Sequence, residues 1–245
     1  MEMFFVYNFL PSVLDDSFND EIINITISTY EFNIYFFNKY FYNSKINYKI
    51  YCNEYYGENI NNLNIIILNN NHAKFIYIEG KLKDRLIITS CNITKNMCQN
   101  CIQSVIRITK SKSEEINHEF FDNYNLKINK LILNKLNLLY CIPNKVNTIQ
   151  NWLDKQDNLH IICNNVNFNY MKQYKNFKIY HFNNIPFYSD FIKCFNYSSE
   201  RSIECNYLFD FHYKLYFNSN EILISSNNFS LSYKNNYELG VLLNY

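Results

Sequence analysis

Two short motifs of the type His-x-Lys carry residues that could act together on a phosphate ester. They are His72 with Lys74 and His212 with Lys214, and the two histidines lie 140 residues apart (212 − 72 = 140). Side chains two positions apart on a β-strand project to the same face, so we expect each histidine to lie beside its lysine. A neutral imidazole can attack phosphorus to form a covalent phosphoenzyme, while the lysine neutralises charge on the non-bridging oxygens. A second imidazole can then protonate the leaving oxygen and activate water.

A Ser-x-Asn element follows each of these motifs, with Ser90 and Asn92 in the first copy and Ser226 and Asn228 in the second. The asparagine comes 20 residues after the histidine in the first copy (92 − 72 = 20) and 16 residues after it in the second (228 − 212 = 16). An amide at the end of a neighbouring strand can donate a hydrogen bond to a phosphate oxygen. Each His-x-Lys motif and its Ser-x-Asn element form one half-site, and together they predict a phosphate cradle that needs no metal ion.

The half-sites belong to an imperfect internal repeat that covers residues 64–108 and 207–243. Each copy has an apolar or aromatic run, a polar turn, a second apolar run that ends in Ser-x-Asn, a link, and a third apolar run. This order predicts strand, strand, connection and strand, with turns at residues 79–81 and 218–220. We therefore expect two similar halves whose His-x-Lys strands converge on a pseudo-twofold axis.

The composition is that of a folded protein with little net charge. The chain has 245 residues, of which 48% are hydrophobic, so it can bury a core as one compact domain or as two joined halves. Twenty-three Lys and Arg against 22 Asp and Glu leave a formal charge of +1, which argues against a protein that coats nucleic acid by charge alone. The most polar stretch, residues 109–123, is the predicted boundary between the halves, and residues 126–180 are expected to contain a helix and then a strand.

The cysteines and the N-terminus indicate an intracellular, non-secreted protein of the nucleus or cytoplasm. The eight cysteines follow no small secreted disulfide framework, and Cys98 and Cys101 lack the second pair of a zinc ribbon, so we expect free thiols and no metal. The first residues lack the positive flank of a signal peptide, and no apolar run reaches the roughly 18 residues of a membrane helix, so no stable membrane insertion is expected. Asn92 and Asn228 lie in N-glycosylation sequons, and a glycan there would block the predicted site.

The two copies resemble the HKD repeats of the phospholipase D superfamily. The likeness rests on the motifs HAK and HYK, on the Ser-x-Asn elements and on the sequence NYELGVLL in the second copy. Within the superfamily the chain is most similar to the tyrosyl-DNA phosphodiesterase family. The Asp of the HKD motif is missing, and its place falls on Glu79 and Ser219; the spacing from His72 to its asparagine is long; and Gln103 and Glu238 stand where that family has a Gln and a Glu.

This resemblance implies a role for each residue of the half-sites. It makes His72 the nucleophile and His212 the general acid and base. Four residues would bind the phosphate: Lys74, Lys214, Asn92 and Asn228. Four more would orient and support the histidines from behind: Gln103, Glu238, Ser90 and Ser226.

The resemblance also implies an α/β fold with two pseudo-symmetric phospholipase D-like halves, each a mixed β-sheet flanked by helices. We place the halves at residues 1–115 and 116–245. The implied activity is that of a metal-independent phosphodiesterase that acts through a phosphohistidine, needs no cofactor, and removes tyrosyl or other adducts from DNA 3′ ends. Its partner would be a single-stranded or nicked DNA 3′ end that bears a protein or nucleoside adduct. Because one chain carries both half-sites, we expect a monomer.

Three other functions would use the same residues or the same fold. Another nuclease of the superfamily would differ only in its loops. A phospholipase would need an apolar access surface or lipidated cysteines. An inactive scaffold that binds nucleic acid would have no need of two imidazoles, so the presence of both complete motifs favours an enzyme. The other histidines are interpreted as surface residues or hydrogen-bonded core residues: His118, His160 and His181.

Overall fold

The computed structural model describes residues 1–6, 18–58, 63–101, 103–156, 159–163, 177–180, 214–229 and 235–244. Within these ranges the chain forms two seven-stranded β-sheets, a two-stranded sheet and a few short helices. His212 and His181 lie outside the described residues. In the described ranges no helix is both long enough and apolar enough to cross a membrane.

The first large sheet is built from the N-terminal part of the chain. Its strands are β1 (Glu2–Val6), β2 (Ile22–Asn33), β3 (Asn47–Tyr56), β4 (Leu63–Ile67), β5 (Phe75–Gly80), β6 (Lys83–Thr89) and β7 (Gln103–Ser111). They lie in the order β1-β7-β6-β5-β2-β3-β4. The β2–β3 and β3–β4 pairs are parallel and the other pairs are antiparallel, so the sheet is mixed.

Strand β5 is buried on both faces, which places it at the centre of the molecule. Side chains alternate across a strand, so successive residues of β5 enter two different apolar cores. Ile76 and Ile78 pack on one face of the sheet, and Phe75 and Tyr77 pack on the other. All four side chains are at most 1% exposed. A change of register by one residue would move the isoleucines into the core that holds the aromatic rings, and the rings into the core that holds the isoleucines. The burial of both faces therefore fixes the pairing of β5.

The second large sheet comes from the C-terminal part of the chain. After a small sheet of β8 (Glu115–Ile116) and β9 (Ile128–Asn129), its strands are β10 (Asn137–Ile142), β11 (Val146–Asn147), β12 (Leu159–Ile162), β13 (Phe177–Tyr180), β14 (Leu215–Phe217), β15 (Glu221–Ser225) and β16 (Glu238–Asn244). They lie in the order β11-β10-β16-β15-β14-β12-β13. The β12–β13 pair is parallel and the other pairs are antiparallel, so this sheet is mixed as well.

The described helices are short, and each begins at a polar cap. They are α1 (Ile34–Tyr40), α2 (Lys95–Asn100), α3 (Glu119–Asp122), α4 (Lys130–Leu133) and α5 (Thr148–Leu153). The side chain before each helix accepts a hydrogen bond from a backbone N–H of the first turn: Asn33, Thr94, His118, Asn129 and Asn147. These caps satisfy donors that a helix start leaves without partners. His118 therefore has a structural role as the N-cap of α3.

The two large sheets face each other across one shared apolar core. Phe75 and Leu86 of the first sheet pack in the same cluster as Ile224 and Val241 of the second, together with Phe120 of α3. The outer face of the first sheet packs against α1, and the outer face of the second packs against α5. The sheets are thus joined by the burial of apolar surface, which is the main force that holds such layers together.

The α/β class, the mixed sheets and the turn predicted at residues 218–220 are confirmed. The turn predicted at residues 79–81 lies at residues 81–82, because Glu79 and Gly80 still belong to β5. Strand β5 ends at Gly80 and β6 begins at Lys83, while β14 ends at Phe217 and β15 begins at Glu221. The boundary between residues 115 and 116 falls inside β8, between the last strand of the first sheet and the first strand of the second, and stays a prediction. Phe121, in the polar stretch taken for that boundary, is fully buried.

One prediction about local structure is wrong, since the first His-x-Lys motif does not lie within a strand. Strand β5 begins at Phe75, directly after Lys74. In the second copy β14 begins at Leu215, directly after Lys214. Each described lysine therefore sits at the entry to a strand, at an end of its sheet.

Candidate active site

The segment that leads into β5 is held by the side chain of Asn71, which is fully buried. Its amide nitrogen donates to Ser28 Oγ at 3.1 Å and to two backbone carbonyls, one on β2 and one on β3, at 3.0 and 3.2 Å. Its amide oxygen accepts from the Tyr124 hydroxyl at 2.8 Å. One side chain thus fixes the backbone immediately before His72 to two strands of the sheet.

We expect Asn71→Ala to lower the free energy of unfolding by about 2–4 kcal/mol, because it leaves several buried hydrogen-bonding groups without a partner. The His72 segment should lose its position as well, so catalytic activity should fall. Asn69→Ala is the matched control, since Asn69 belongs to the same run of asparagines but is exposed. Denaturant unfolding of the two variants checks this, and equal stability would contradict the role given to Asn71.

Further hydrogen bonds connect the His72 segment to the residue before β16 and to β2. The His72 N–H donates to the Tyr237 carbonyl at 3.0 Å, and the Tyr237 N–H donates to the Asn70 carbonyl at 2.8 Å. Ser28 Oγ donates to the Ala73 carbonyl at 2.8 Å. The His72 N–H and the Ala73 carbonyl are thus bonded to Tyr237 and to the Ser28 side chain and not to a neighbouring strand. The His-x-Lys motif therefore lies outside β5. These bonds also hold the histidine at the point where the two sheets meet.

The imidazole of His72 is bound by Glu238 at the start of β16. His72 Nδ1 lies 2.9 and 3.0 Å from the two carboxylate oxygens, and Ser226 Oγ donates to the same carboxylate. Burial lowers the pKa of His72, although Glu238 opposes this effect. Burial acts to raise the pKa of Glu238, but His72, Lys74 and Ser226 together outweigh it and lower that pKa. A carboxylate can only accept, so the neutral imidazole carries its proton on Nδ1 and keeps the Nε2 lone pair for chemistry.

We expect Glu238→Gln to lower kcat by about 10–100-fold, because the amide no longer fixes the tautomer of His72 or stabilises its charged form. The contact with Glu238 raises the pKa of His72. Without it that pKa should fall further, so the acid limb of kcat/KM should move to lower pH. A pH–rate profile of the variant and the wild type checks this. An acid limb that stays in place or moves upward would contradict the contact as described.

Two buried lysines lie in the same site. Lys74 and Lys214 both have an exposed fraction of 0%. Burial, followed by the repulsion from Lys214, lowers the pKa of Lys74 to about 7, with Glu238 opposing. Burial also lowers the pKa of Lys214 to about 8, with Cys163 and Glu238 opposing. Burying a cation is costly unless an anion lies near it, so a site that holds two buried lysines suits a bound anion.

The Ser-x-Asn elements are held by matching hydrogen bonds in the two halves. Ser90 Oγ donates to Gln103 Oε1 at 2.8 Å and accepts from the N–H of the residue after Gln103 at 3.1 Å. Ser226 Oγ donates to the Glu238 carboxylate and accepts from the N–H of the residue after Glu238 at 3.0 Å. Gln103 and Glu238 therefore occupy corresponding positions, as the internal repeat predicts.

The same correspondence extends to the backbone around the lysines. The Thr89 N–H donates to the Lys74 carbonyl at 3.1 Å, and the Ser225 N–H donates to the Lys214 carbonyl at 3.2 Å. In each half the strand that ends in Ser-x-Asn thus pairs with the residue that ends His-x-Lys. The internal repeat in the sequence therefore corresponds to a repeated hydrogen-bond pattern around the two lysines.

The two asparagines differ in burial. Asn92 is 5% exposed, and its amide oxygen lies 3.5 Å from Thr29 Oγ1. Asn228 is half-buried, and Cys163 Sγ lies 3.9 Å from its amide oxygen. Because Cys163 acts on the pKa of Lys214, Asn228 belongs to the same neighbourhood as that lysine.

The structure thus brings most of the predicted residues together. His72, Lys74, Lys214, Glu238 and Ser226 share one site at the junction of the sheets. The bond from Ser90 to Gln103 lies in the first half, and His212, the second histidine of the predicted site, lies outside the described residues.

Two residues of the site were missed from the sequence. Asn71 is hidden in a run of three asparagines in an asparagine-rich chain, and only its place directly before His72 could have indicated it. Tyr30 lies with its ring centroid 5.3 Å from that of His72 and is one of 23 tyrosines, so no pattern marked it.

No protein-family model and no curated protein matches the sequence. The fold, in contrast, is similar to that of solved structures. Yeast tyrosyl-DNA phosphodiesterase matches with a TM-score of 0.68 and 13% identity, over 99% of this chain and 89% of that one. A histidine-to-asparagine mutant of the yeast enzyme matches with a TM-score of 0.72 and 12% identity, over 99% and 90%.

Polyphosphate kinase from Porphyromonas gingivalis also matches, with a TM-score of 0.56 and 10% identity, over 99% of this chain and 44% of that one. The fold expected from the resemblance to the phospholipase D superfamily is therefore confirmed. At 10 to 13% identity this likeness establishes the fold and leaves the reaction to be inferred from the site.

Proposed function

We propose that the chain is a phosphodiesterase that works without a metal ion through a phosphohistidine on His72. One observation carries this proposal. A neutral imidazole, held through Nδ1 by Glu238 at 2.9 Å, lies in the same site as two fully buried lysines. An oriented nitrogen nucleophile beside a cationic pocket is the arrangement that attack on a phosphate diester requires.

In the first step Nε2 of His72 attacks phosphorus. The new P–N bond forms as the bond from phosphorus to the leaving oxygen breaks, and His212 gives its proton to that oxygen. Lys74 and Lys214 neutralise the non-bridging oxygens, and Asn92 and Asn228 are assigned to donate hydrogen bonds to them. The Glu238 carboxylate stabilises the positive charge that the ring acquires.

In the second step His212, now neutral, takes a proton from water, and the resulting hydroxide attacks phosphorus. The P–N bond breaks and its electron pair returns to Nε2 of His72. The first product is the free alcohol or phenol, and the second is a phosphate monoester. Both imidazoles end the cycle in their starting protonation states.

The substrate proposed is a DNA 3′ end, single-stranded or nicked, that carries a tyrosyl or other adduct. The fold shared with yeast tyrosyl-DNA phosphodiesterase supports this class, because the likeness covers almost the whole chain. A phenol is a good leaving group, with a pKa of about 10, so a tyrosyl ester suits attack by imidazole. The products would be tyrosine and DNA with a 3′-phosphate.

Incubation with a single-stranded oligonucleotide that bears a 3′-phosphotyrosine, in the presence of EDTA, tests the proposal. We expect release of tyrosine and a 3′-phosphate end. Loss of activity in EDTA would overturn the metal-independent mechanism. Hydrolysis of unmodified DNA or of phospholipid vesicles, with the tyrosyl substrate left intact, would overturn the substrate assignment, and no hydrolysis of any of these would contradict the enzymatic function.

A further inference from the structure

A hydrogen-bonded cluster of three side chains lies against His72 on the side of β2 and β3. The ring of Tyr30, near the end of β2, meets the imidazole of His72 edge-on, with centroids 5.3 Å apart and planes inclined by 61°. The Tyr30 hydroxyl donates to one carboxylate oxygen of Glu54 at 2.5 Å. The Tyr56 hydroxyl donates to the other oxygen at 2.7 Å. Glu54 thereby holds both tyrosines through one carboxylate.

This cluster fixes the Tyr30 ring at both ends. The backbone of Tyr30 belongs to β2, while its hydroxyl is bound to the neighbouring parallel strand β3. The hydrogen bond to Glu54 raises the pKa of Tyr30 to about 12, so the hydroxyl stays protonated and keeps donating at any physiological pH. Hydrogen bonds from Tyr30 and Tyr56 lower the pKa of Glu54, so the acceptor stays ionised.

The burial of apolar surface does not account for the cluster. Tyr30 and Glu54 are only half-buried, and Tyr56 is 48% exposed. Hydrogen bonds between exposed polar groups add little to stability. The main effect of Glu54 is therefore to fix the positions of the Tyr30 and Tyr56 rings at the rim of the site.

We infer that Tyr30, held by Glu54, is a positioning residue that fixes the orientation of the His72 ring for attack on phosphorus, an inference that rests on the proposed function. Glu238 binds His72 at the single atom Nδ1, and one such contact leaves the ring free to tilt about it. The Tyr30 ring blocks that movement from the side. Together the two contacts aim Nε2 in one direction.

The rate of adduct formation in a single turnover tests this inference. In the His212→Asn background, a 3′-phosphotyrosyl oligonucleotide should transfer its DNA to His72 without rapid release. Adding Tyr30→Ala should slow that transfer by about 10–100-fold, the cost of a misplaced reacting atom, with little change in substrate affinity. Tyr30→Phe keeps the ring but loses the bond to Glu54, so its rate of transfer should lie between the rates with Tyr30 and with Tyr30→Ala. Tyr35→Ala is the matched control, because Tyr35 is 63% exposed and should leave the rate unchanged.

The pH profile separates positioning from general destabilisation. Burial is the largest cause of the lowered pKa of His72, and among the described residues the charged groups with the largest effects on it are Glu238, Lys74 and Lys214. Tyr30→Ala leaves those groups in place but exposes the ring to water, so the acid limb of kcat/KM should move to higher pH, opposite to the shift expected for Glu238→Gln. Adduct formation at the wild-type rate in Tyr30→Ala, or an unmoved acid limb, would overturn the inference. Absence of any adduct in His212→Asn alone would instead count against the proposed function.

Discussion

His72→Ala should lower kcat on a 3′-phosphotyrosyl oligonucleotide by about 10⁴-fold or more, because alanine offers no nitrogen to form the covalent intermediate. The substitution leaves the lysine pair and the phosphate cradle in place, so substrate affinity should change far less than kcat. The effect is expected to be this large because His72 is the ring that Glu238 binds at 2.9 Å beside the cationic pocket. Steady-state kinetics and a binding measurement on the variant separate the two quantities.

His160→Ala is the matched control for this experiment. His160 is a half-buried histidine of β12 whose ring stacks on Phe217, with centroids 4.9 Å apart. It lies on a strand of the second sheet and has no role in the proposed reaction, so its alanine variant should keep wild-type kcat. If His72→Ala retained activity within tenfold of wild type, the nucleophile would have to be another residue.

Lys74→Met should lower kcat/KM by about 10²–10³-fold, the usual cost of removing one electrostatic contact to a transition state. Methionine keeps the length and the apolar stem of the side chain but removes the buried charge. The loss should be most evident at acidic pH, because Lys74 has a pKa of about 7 and is charged below it. As pH rises through that value the wild type itself loses the ammonium form, so the difference between the two proteins should narrow.

The stability of Lys74→Met distinguishes a functional charge from a structural one. Because the lysine binds fewer protons in the folded protein than in the unfolded chain between about pH 7 and 10.5, its ionisation opposes folding at neutral pH. We therefore expect the variant to have an unchanged or higher Tm at pH 7, even though the His72 carbonyl loses its 2.8 Å bond from Nζ. Lys81→Met, at a lysine whose side chain is 68% exposed, is the control for loss of one positive charge. A lower Tm together with unchanged kcat/KM would contradict the role given to Lys74.

The repeated parts of the site could be predicted from the sequence because repetition distinguishes them from chance. His-x-Lys and Ser-x-Asn are each too short to carry weight alone, but two copies with Gln103 and Glu238 in corresponding places gave a specific hypothesis. The structure places Ser90 against Gln103 and Ser226 against Glu238 through equivalent bonds. The strands could be predicted from runs of apolar residues, as in β5, whose two faces are both buried. The mixed character of each sheet was implied by the family resemblance.

The contacts that were missed are those between distant parts of the chain. Asn71 binds β2 and β3, and Tyr30 approaches His72 across 42 residues (72 − 30 = 42), so neither contact leaves a local pattern. The wrong placement of His72 within a strand has the same origin. Its neighbours alternate as a strand would, but its backbone bonds go to Tyr237, which is remote in sequence.

Identification of the covalent intermediate would show whether His72 is the nucleophile. The His212→Asn variant is incubated with a 3′-phosphotyrosyl oligonucleotide, and the protein is then analysed by intact mass and peptide mapping at alkaline pH, where a phosphorus–nitrogen bond survives. A phenol needs little help to leave, so the first step should proceed, while the second should stall without its base. We predict that the mass of the protein increases by that of the oligonucleotide with its 3′-phosphoryl group, and that this group is attached to His72. DNA attached to a residue other than His72 would show that His72 is not the nucleophile, and turnover of the wild type with no adduct in the variant would contradict a covalent intermediate.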